Sequence, residues 1–502
     1  MHRSLKQLIL PLALFLGAIL RIAPTIEAGF PPNDGGMFLS MIRDLHTSGY
    51  RLPDFTSYNF ADYPFAYSPL GFYLARLLVD LGFNEIAVLR FLPAVVSVLA
   101  IGGVYLFGAA LTSHKQGAWA ALIYALIPRS FTWLVMCGGL TRSLGFTALL
   151  FCGWAVLRLF TSGKRSWLGW SVVFGAMAVL SHPEAGLHTA VVCAGLWLRF
   201  GRTRRSTLDA GLVALGVALV SSLWWGSVLA QHGFAPFASV LATGSGATTG
   251  FAAFSRFWHD VFIADRVSWL LSVLLGAGLL WGLWSRSYFM LALAVVPYLI
   301  EWRSAANFVF MPLSLLSAGL FLHVREMSAA WVDAARPVRA WLFATTVLLM
   351  LAVLFGQGFL FTFRLANTSL RSADQEAFAW VRANTPVGSR FVILTGIGGP
   401  ELDFFQEWFP VLAERQSLTT FQGTEWTLGA AFYDHLRALS RLQACGTADC
   451  VQAWLGEHPQ EFDYLAVRTV QLPAALLTGL RTDCEYELVF EGDTVMVFAR
   501  KR

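Results

Sequence analysis

Long apolar stretches recur along the first 363 residues of this chain and are separated by short polar segments. They predict about eleven membrane-spanning helices, because a helix of about 20 apolar residues crosses a hydrocarbon core of roughly 30 Å. The predicted bounds are 5–23, 86–111, 117–128, 140–160, 167–181, 185–199, 207–230, 266–284, 287–300, 305–323 and 340–363. The pattern therefore predicts a polytopic α-helical membrane protein.

Composition supports the same class. Hydrophobic residues make up 56% of the chain and charged residues only 13%, whereas soluble domains carry about 25% charged residues. The basic residues cluster between apolar spans, where they act as membrane anchors, and no nucleic-acid-binding motif accompanies them. We therefore expect a lipid bilayer as a partner and no nucleic acid.

Basic residues are unevenly distributed among the loops, and this predicts the orientation of the chain. The loops that follow every second span contain His114, Lys115, Arg158, Lys164, Arg165, Arg199, Arg202, Arg204, Arg205, Arg286, Arg325, Arg336 and Arg339. The positive-inside rule makes these loops and the N-terminus cytoplasmic, in a multi-pass protein of the plasma membrane. The segments predicted outside are 24–85, 129–139, 182–184, 231–265, 301–304 and the tail from 364 onward.

The tail differs in composition from the rest of the chain. A helix is predicted at 372–384, ended by Pro386, with a strand in "SRFVILTG" and a hairpin in "YELVFEGDTVMVFAR" around Gly492 and Asp493. We therefore predict two domains: a transmembrane module, 1–363, and a small extracytoplasmic α/β domain, 364–502. Cys445 and Cys450 in the tail are either a local disulfide or two free thiols, and Cys484 is left unpaired.

The first external loop, 24–85, carries a lone acid, Asp34, in "NDGGMF", just before the amphipathic stretch "MFLSMIRDLHTSG". An Asp in this position can cap the helix that follows, and it can also act as a general base toward an acceptor hydroxyl or amine. The two roles are compatible. Asn33, Tyr63 and Tyr67 lie in the same loop as candidate substrate-lining residues, although tyrosines at an interface are also common membrane anchors.

Further polar groups fall on the same predicted face. His182, Glu184 and His188 occur in "LSHPEAGLHTA", either as ligands of a divalent cation or as a solvated turn. His188 and Glu301 are further candidates for lining a substrate. Three arginines, Arg129, Arg142 and Arg303, have the fork of donors that suits a donor phosphate, and each could equally extend toward lipid headgroups. A carboxylate that acts as a base, together with arginines or a metal that stabilise a leaving phosphate, would suit a phosphate-containing lipid substrate.

The membrane part resembles the GT-C glycosyltransferase superfamily. More narrowly, it is similar to bacterial relatives of protein O-mannosyltransferases and of aminoarabinose and lipopolysaccharide-core sugar transferases. The resemblance rests on "NDGGMF", "YPFAYSPLGFYLA", "GGLTRSLGF" and "SHPEAGLH", and in the tail on "FAWVRANTPVGSRFVIL" and "EWFPVLAERQSLTTFQGTEW".

The resemblance implies a polyprenyl-phosphate-linked sugar donor and a glycan, lipid or protein acceptor. Transfer would take place on the extracytoplasmic face, usually with inversion at the anomeric carbon, and Asp34 inherits the role of base or site organiser. Many members have two adjacent acids where this chain has Asn33 and Asp34. If a divalent cation such as Mg or Mn is used, Asp34, His182 and Glu184 are its candidate ligands.

Two other classes compete with this interpretation. A lipid or polysaccharide-precursor transporter or flippase predicts polar residues at mid-span and an internal repeat with broken helices, and the sequence has neither. A non-catalytic membrane scaffold would use the tail to bind partners. Loss of sugar transfer on substitution of Asp34 would argue against both.

Overall fold

The computed structural model describes residues 2–244, 250–264, 269–330 and 336–501. Up to residue 366 the described chain is almost entirely helical. Its helices are α1 (His2–Ala28), α2 (Gly36–Thr47), α3 (Leu70–Asp80), α4 (Glu85–Leu111), α5 (His114–Leu126), α6 (Thr132–Val135), α7 (Gly139–Ser162), α8 (Ser166–Ser181), α9 (Pro183–Phe200), α10 (Arg204–His232), α11 (Ala235–Gly244), α12 (Gly250–Trp258), α13 (Trp269–Trp284), α14 (Tyr288–Ile300), α15 (Ala306–Ala330) and α16 (Arg336–Ala366). A short hairpin, β1 (Phe55–Thr56) and β2 (Tyr63–Pro64), lies in the first loop.

Each predicted span coincides with one of these helices, although the start of the span predicted at 266–284 lies outside the described residues. Six helices in the described part of the chain are long and apolar enough to cross a membrane: Leu8–Ala28, Glu85–Leu111, Gly139–Ser162, Arg204–His232, Ala306–Met327 and Trp341–Ala366. The shorter α8, α13 and α14 are also apolar. The protein is therefore a polytopic helical membrane protein.

The membrane helices differ in how much of their surface is buried, with one central helix and several peripheral ones. The most apolar window of α7 is 72% buried, against 22% in α10 and 17% in α16. A buried arginine, Arg21 in α1, joins several helices: it donates to Ser97 in α4 at 3.1 Å, to the carbonyl of Ala125 in α5 at 3.0 Å and to Ser130 at 3.2 Å. Because these acceptors satisfy its donors, the guanidinium can remain in an apolar interior.

The first loop is packed against the rest of the molecule. The predicted amphipathic helix is α2, and its apolar residues Leu39, Met41, Ile42 and Leu45 are fully buried. They belong to a core that also includes Trp408 and Phe409 from the tail. The loop that carries Asp34 is thus held between the membrane helices and the C-terminal region.

The tail folds around a mixed sheet. Its elements are α17 (Ser372–Asn384), β3 (Arg390–Leu394), α18 (Phe404–Leu412), β4 (Gln416–Ser417), α19 (Phe432–Gln443), α20 (Ala448–Glu457), β5 (Tyr464–Arg468), α21 (Ala474–Thr482), β6 (Tyr486–Glu491) and β7 (Val495–Arg500). The strand order is β4-β3-β5-β7-β6, with β3 parallel to both neighbours and β7 antiparallel to both of its own. The predicted helix, strand and hairpin are confirmed, and Cys445 and Cys450 form a disulfide.

Candidate active site

Asp34 lies on a turn whose backbone is set by its two neighbours. Asn33 has φ 57° and Gly35 has φ 139°, a region that favours glycine. The turn directs the Asp34 carboxylate toward the start of α7, where Oδ1 accepts a hydrogen bond from the Gly138 backbone N–H at 2.8 Å. A Cβ atom on residue 138 would lie 2.0 Å from Asp34 Oδ2, so the close approach requires glycine at this position.

Arg142 is the cation beside this carboxylate. Its Nη1 lies 3.8 Å from Asp34 Oδ2, and its guanidinium lies over the ring of Trp133 at 5.4 Å. Nη1 is buried and has no hydrogen-bond partner among the residues that the structure describes. A buried guanidinium N–H without a partner carries a desolvation cost that an anionic oxygen would relieve.

The capping role considered for Asp34 is wrong. The Asp34 side chain makes no capping hydrogen bond to α2. The cap comes from the tail, because the Gly35 N–H donates to Glu407 Oε1 in α18 at 2.9 Å. The carboxylate that caps α2 is therefore that of Glu407 and not that of Asp34.

Glu407 is held in place by several contacts. Its Oε2 accepts from Gln422 Nε2 at 3.3 Å, and its backbone carbonyl accepts from the Tyr58 hydroxyl at 2.8 Å. The next residue, Trp408, donates its ring N–H to the carbonyl of Asn33 at 2.9 Å. Burial, and then the neighbouring Asp34, raise the pKa of Glu407 well above its ordinary value.

A second polar cluster joins the start of α9 to the turn before α15. Arg303 Nη2 lies 2.7 Å from Glu184 Oε1, and the Ser304 hydroxyl hydrogen-bonds to the other Glu184 oxygen. His188 Nε2 lies 3.2 Å from Glu301 Oε2, and Glu301 also accepts from the backbone N–H groups of Arg303 and Ser304. The structure thus brings Glu184, His188, Glu301 and Arg303 together.

Tyr67 and His182 connect the two groups of residues. Burial raises the pKa of Tyr67, and the charges of Arg142, Glu425, Glu184 and Arg303 act on it, so these side chains surround one position. The Tyr67 ring lies edge-on to His182, with ring centroids 6.5 Å apart. His182 is buried, and its Nδ1 has no hydrogen-bond partner in the described part of the chain.

The tail covers this region with the loop that contains "FQGTEW". Trp426 is 5% exposed, and its ring lies 5.6 Å from that of Tyr67. Gly423 has φ 93°, and a Cβ atom there would lie 2.3 Å from the ring of Tyr63. Burial also raises the pKa of Glu425, which accepts from the Gly423 N–H at 2.8 Å. Tyr63 and Tyr67 therefore lie beneath the tail.

Arg129 lies in a different cluster. Its Nη2 is 3.0 Å from Asp260 Oδ1, and the buried Asp260 also accepts from Arg256 at 3.1 Å and from the Tyr298 hydroxyl at 3.2 Å. This pairing engages Nη2 of the guanidinium that the sequence predicts to bind a donor phosphate, while its Nε has no hydrogen-bond partner among the described residues. Arg142 and Arg303 are the predicted phosphate-binding arginines that the structure brings near Tyr67.

The candidate metal ligands fit a cation poorly. Among the described residues, no group of three or more His, Cys, Asp or Glu side chains is arranged to hold a metal ion. His182 Nδ1 and Glu184 Oε2 are 4.0 Å apart, but Arg303 and Ser304 already occupy the Glu184 oxygens. Asp34 instead faces Gly138 and Arg142, so we derive no step through a metal.

Sequence reasoning missed several residues of this site. Gly138 begins "GGLTRSLGF" and Glu407 begins "EWFPVLAERQSLTTFQGTEW", but the sequence pattern singles out neither residue. The available signal is the aromatic pair Trp408 and Phe409 in "EWFPVLAERQ", since both side chains are fully buried in the core that includes α2 of the first loop. Nothing in the sequence around Glu407 indicates that its side chain accepts a hydrogen bond from Gly35.

Comparison with solved structures shows which known folds this one resembles. The fold matches the archaeal oligosaccharyltransferase AglB from Archaeoglobus fulgidus (TM-score 0.57, 13% identity, covering 93% of this chain and 70% of that one). It also matches ArnT from Cupriavidus metallidurans, solved with undecaprenyl phosphate (TM-score 0.55, 14% identity, 97% of both chains), and the mycobacterial arabinofuranosyltransferase AftD (TM-score 0.52, 18% identity, 97% of this chain and 40% of that one). The chain therefore shares its fold with these three solved proteins.

A protein-family model matches only part of the sequence. Residues 64–225 match the model of the family described as dolichyl-phosphate-mannose-protein mannosyltransferase. This segment contains Tyr67, Arg142, His182 and Glu184 but neither Asp34 nor Glu407. No curated protein sequence matches the chain. The predicted resemblance to GT-C glycosyltransferases is confirmed by the family segment and the fold together.

Proposed function

We propose that this protein is an integral-membrane glycosyltransferase that moves a sugar from a polyprenyl-phosphate-linked donor to an acceptor. The observation that carries the proposal is the placement of the Asp34 carboxylate beside the unpartnered N–H of Arg142, 3.8 Å away. A base and a phosphate-binding cation on either side of one position are what a displacement at a sugar phosphate requires.

In this proposal Asp34 takes the proton from an acceptor hydroxyl or amine as that group attacks the anomeric carbon. The bond between the anomeric carbon and the phosphate oxygen breaks, and the electron pair leaves on the polyprenyl phosphate. Arg142 stabilises the charge that develops on this oxygen. Arg303 assists less, because its ion pair with Glu184 already offsets much of its charge.

The tail closes the site from the side opposite the membrane helices. Trp426 and Gly423 pack on Tyr67 and Tyr63, so the reacting groups would be shielded from bulk water, which strengthens the interaction of Arg142 with a phosphate. The solved structure of ArnT with undecaprenyl phosphate supports a polyprenyl phosphate as the leaving group of the related fold.

The number of membrane spans and the orientation of the chain are also part of the proposal. Eleven spans with a cytoplasmic N-terminus would place Asp34 and the 364–502 domain on the extracytoplasmic face of the plasma membrane, where glycan, lipid or protein acceptors are found. The basic loops predicted inside support this orientation. Cysteine labelling with a membrane-impermeant reagent in intact cells tests it: residues introduced at exposed Glu401 should react, and residues introduced at exposed Arg204 should not.

The first experiment separates binding from chemistry. We expect undecaprenyl phosphate to raise the midpoint of thermal unfolding of the purified protein in detergent, since it binds the folded state. The shift should persist in Asp34→Asn and decrease in Arg142→Ala. Arg158→Ala is the matched control, because Arg158 is exposed at the other end of α7.

Two outcomes would contradict the proposal. A shift that is the same in wild type and Arg142→Ala would remove Arg142 from phosphate binding. Full transfer activity of Asp34→Asn with a polyprenyl-phosphate sugar would remove Asp34 as the base. Binding of undecaprenyl phosphate without transfer of any polyprenyl-phosphate sugar would favour the transporter interpretation instead.

A further inference from the structure

A cavity lies at the helix ends far from Asp34. It has a volume of about 1010 Å³ and is formed where α4 meets α5, where α13 meets α14, and at the ends of α9 and α15. The opposite ends of α9, α14 and α15 carry Glu184, Glu301 and Ser304 of the candidate active site. A helix of 18 residues such as α9 is about 27 Å long, so the cavity is separated from the active site by roughly the thickness of a bilayer core.

The cavity is strongly basic. Lys115, Arg199 and Arg286 line it together with two histidines, and Glu326 is the single acid among its described lining residues. None of the three cations forms an ion pair within the described part of the chain, and all three are exposed. An anionic group in this cavity would therefore meet several uncompensated charges at once.

Arg286 occupies a conformation that a glycine would adopt more easily. Its φ is 56°, in the short turn between α13 and α14. A non-glycine residue with positive φ is uncommon and carries a conformational cost. Because Arg286 lies in the cavity wall, its charge can contact a bound anion, and this contact would offset the conformational cost.

A second, apolar cavity adjoins the first and shares two lining residues with it. It is a groove of about 510 Å³ between α9 and α14, lined mainly by aliphatic residues, with Arg199 and Arg202 at one end and Ile300 at the other. Arg199 and Phe289 line both cavities. A basic chamber beside an apolar groove matches the polarity of a lipid with an anionic headgroup.

We propose that these two adjoining cavities bind an anionic glycerophospholipid. Its phosphate would lie against Lys115, Arg199 and Arg286, and one acyl chain would lie along the groove between α9 and α14. Basic pockets between transmembrane helices recognise such headgroups through charge. The positive-inside rule explains why the charged residues at this end of the helices are basic. It does not explain why they line a concave chamber beside an apolar groove. This site is independent of the proposed sugar transfer.

The test uses the full-length protein in a nonionic detergent and follows the midpoint of thermal unfolding. Dioleoyl phosphatidylglycerol should raise the midpoint by binding the folded state, and dioleoyl phosphatidylcholine should not. In the triple variant Lys115→Gln/Arg199→Gln/Arg286→Gln, we expect the apparent affinity for the anionic lipid to fall on the order of a hundredfold, given the usual contribution of each basic residue.

Arg204→Gln is the matched control, because Arg204 is exposed at the same end of the molecule and lines neither cavity. If the triple variant does not fold, Arg199→Gln alone should weaken the shift, and native mass spectrometry should show less retained anionic lipid. An equal shift in the triple variant and the wild type would overturn the proposal. It would also be overturned if inorganic phosphate, phosphatidylcholine or undecaprenyl phosphate reproduced the full Arg199-dependent shift.

Discussion

The backbone N–H of Gly35 donates a 2.9 Å hydrogen bond to the side chain of Glu407, a residue 372 positions further along the chain. The bond joins the loop of the candidate base to α18 of the tail. It supplies the cap that α2 lacks locally, and it fixes the residue next to Asp34. The tail is therefore structurally part of the site and not an independent appendage.

Removing this cap should loosen the Asp34 turn. We expect Glu407→Ala to lower the free energy of unfolding by roughly 1–3 kcal/mol, because it leaves buried N–H groups unsatisfied. Glu407→Gln should cost less, since the amide oxygen can still accept. Hydrogen exchange measured by mass spectrometry should show faster exchange in residues 35–39 of Glu407→Ala.

Glu401→Ala is the control for that experiment, because Glu401 is exposed at the start of the same region. It should leave exchange in residues 35–39 unchanged. Protection of these amides that is as strong in Glu407→Ala as in the wild type would show that another group caps α2.

Gly138→Ala should impair chemistry more than folding. The new methyl group would lie 2.0 Å from Asp34 Oδ2, the mobile end of a side chain that can rotate away. We expect a cost of roughly 1–3 kcal/mol in unfolding free energy, because the displaced carboxylate no longer accepts from the N–H of residue 138. We also expect a loss of transfer activity of about a hundredfold or more, because a displacement of about 1 Å can cost that much. Steady-state transfer from a polyprenyl-phosphate sugar is the measurement.

Gly102→Ala in α4 is a suitable control, because a Cβ atom there meets no other atom within 4 Å. It should retain full activity. Full activity of Gly138→Ala as well would argue that the position of Asp34 beside Gly138 is unimportant for transfer.

Arg129 should contribute to stability through Asp260. We expect Asp260→Ala to lower the free energy of unfolding by about 3–5 kcal/mol, because it leaves Arg129 and Arg256 without their buried partner. Arg129→Ala should also destabilise the protein, by a smaller amount because Arg256 still pairs with Asp260. Thermal unfolding with and without undecaprenyl phosphate distinguishes the two roles of Arg129: a specific loss of the ligand-induced shift in Arg129→Ala would support donor binding instead.

The contact between Gly423 and Tyr63 should hold the covering loop. Gly423→Ala combines an unfavourable φ of 93° with a Cβ atom 2.3 Å from the Tyr63 ring. Gly388→Ala has a similar backbone problem, with φ 88°, but open space around its Cβ. We expect Gly388→Ala to cost about 1 kcal/mol and Gly423→Ala clearly more, as measured by denaturant unfolding. Equal costs would show that the Tyr63 contact is unimportant.

Much of the fold could be predicted because its signals are local. The spans follow from runs of apolar residues, α2 from helical periodicity at Leu39, Met41, Ile42 and Leu45, and the last hairpin from alternation around Gly492 and Asp493. The capping role of Asp34 was wrong because a helix start does not reveal which of several acids will reach it. The sequence favoured the nearest acid, whereas the fold supplies Glu407.

The sequence by itself determined the membrane class, the positions of the spanning helices, the amphipathic helix α2, and one helix, one strand and the last hairpin of the tail, because hydrophobic periodicity and charge act over short stretches of chain. Only the tertiary structure decided that Arg142 faces Asp34, that Arg129 pairs with Asp260 and that Glu407 caps α2. These contacts depend on how distant segments pack, and each side chain's partner is decided by the geometry of burial and not by its neighbours in sequence.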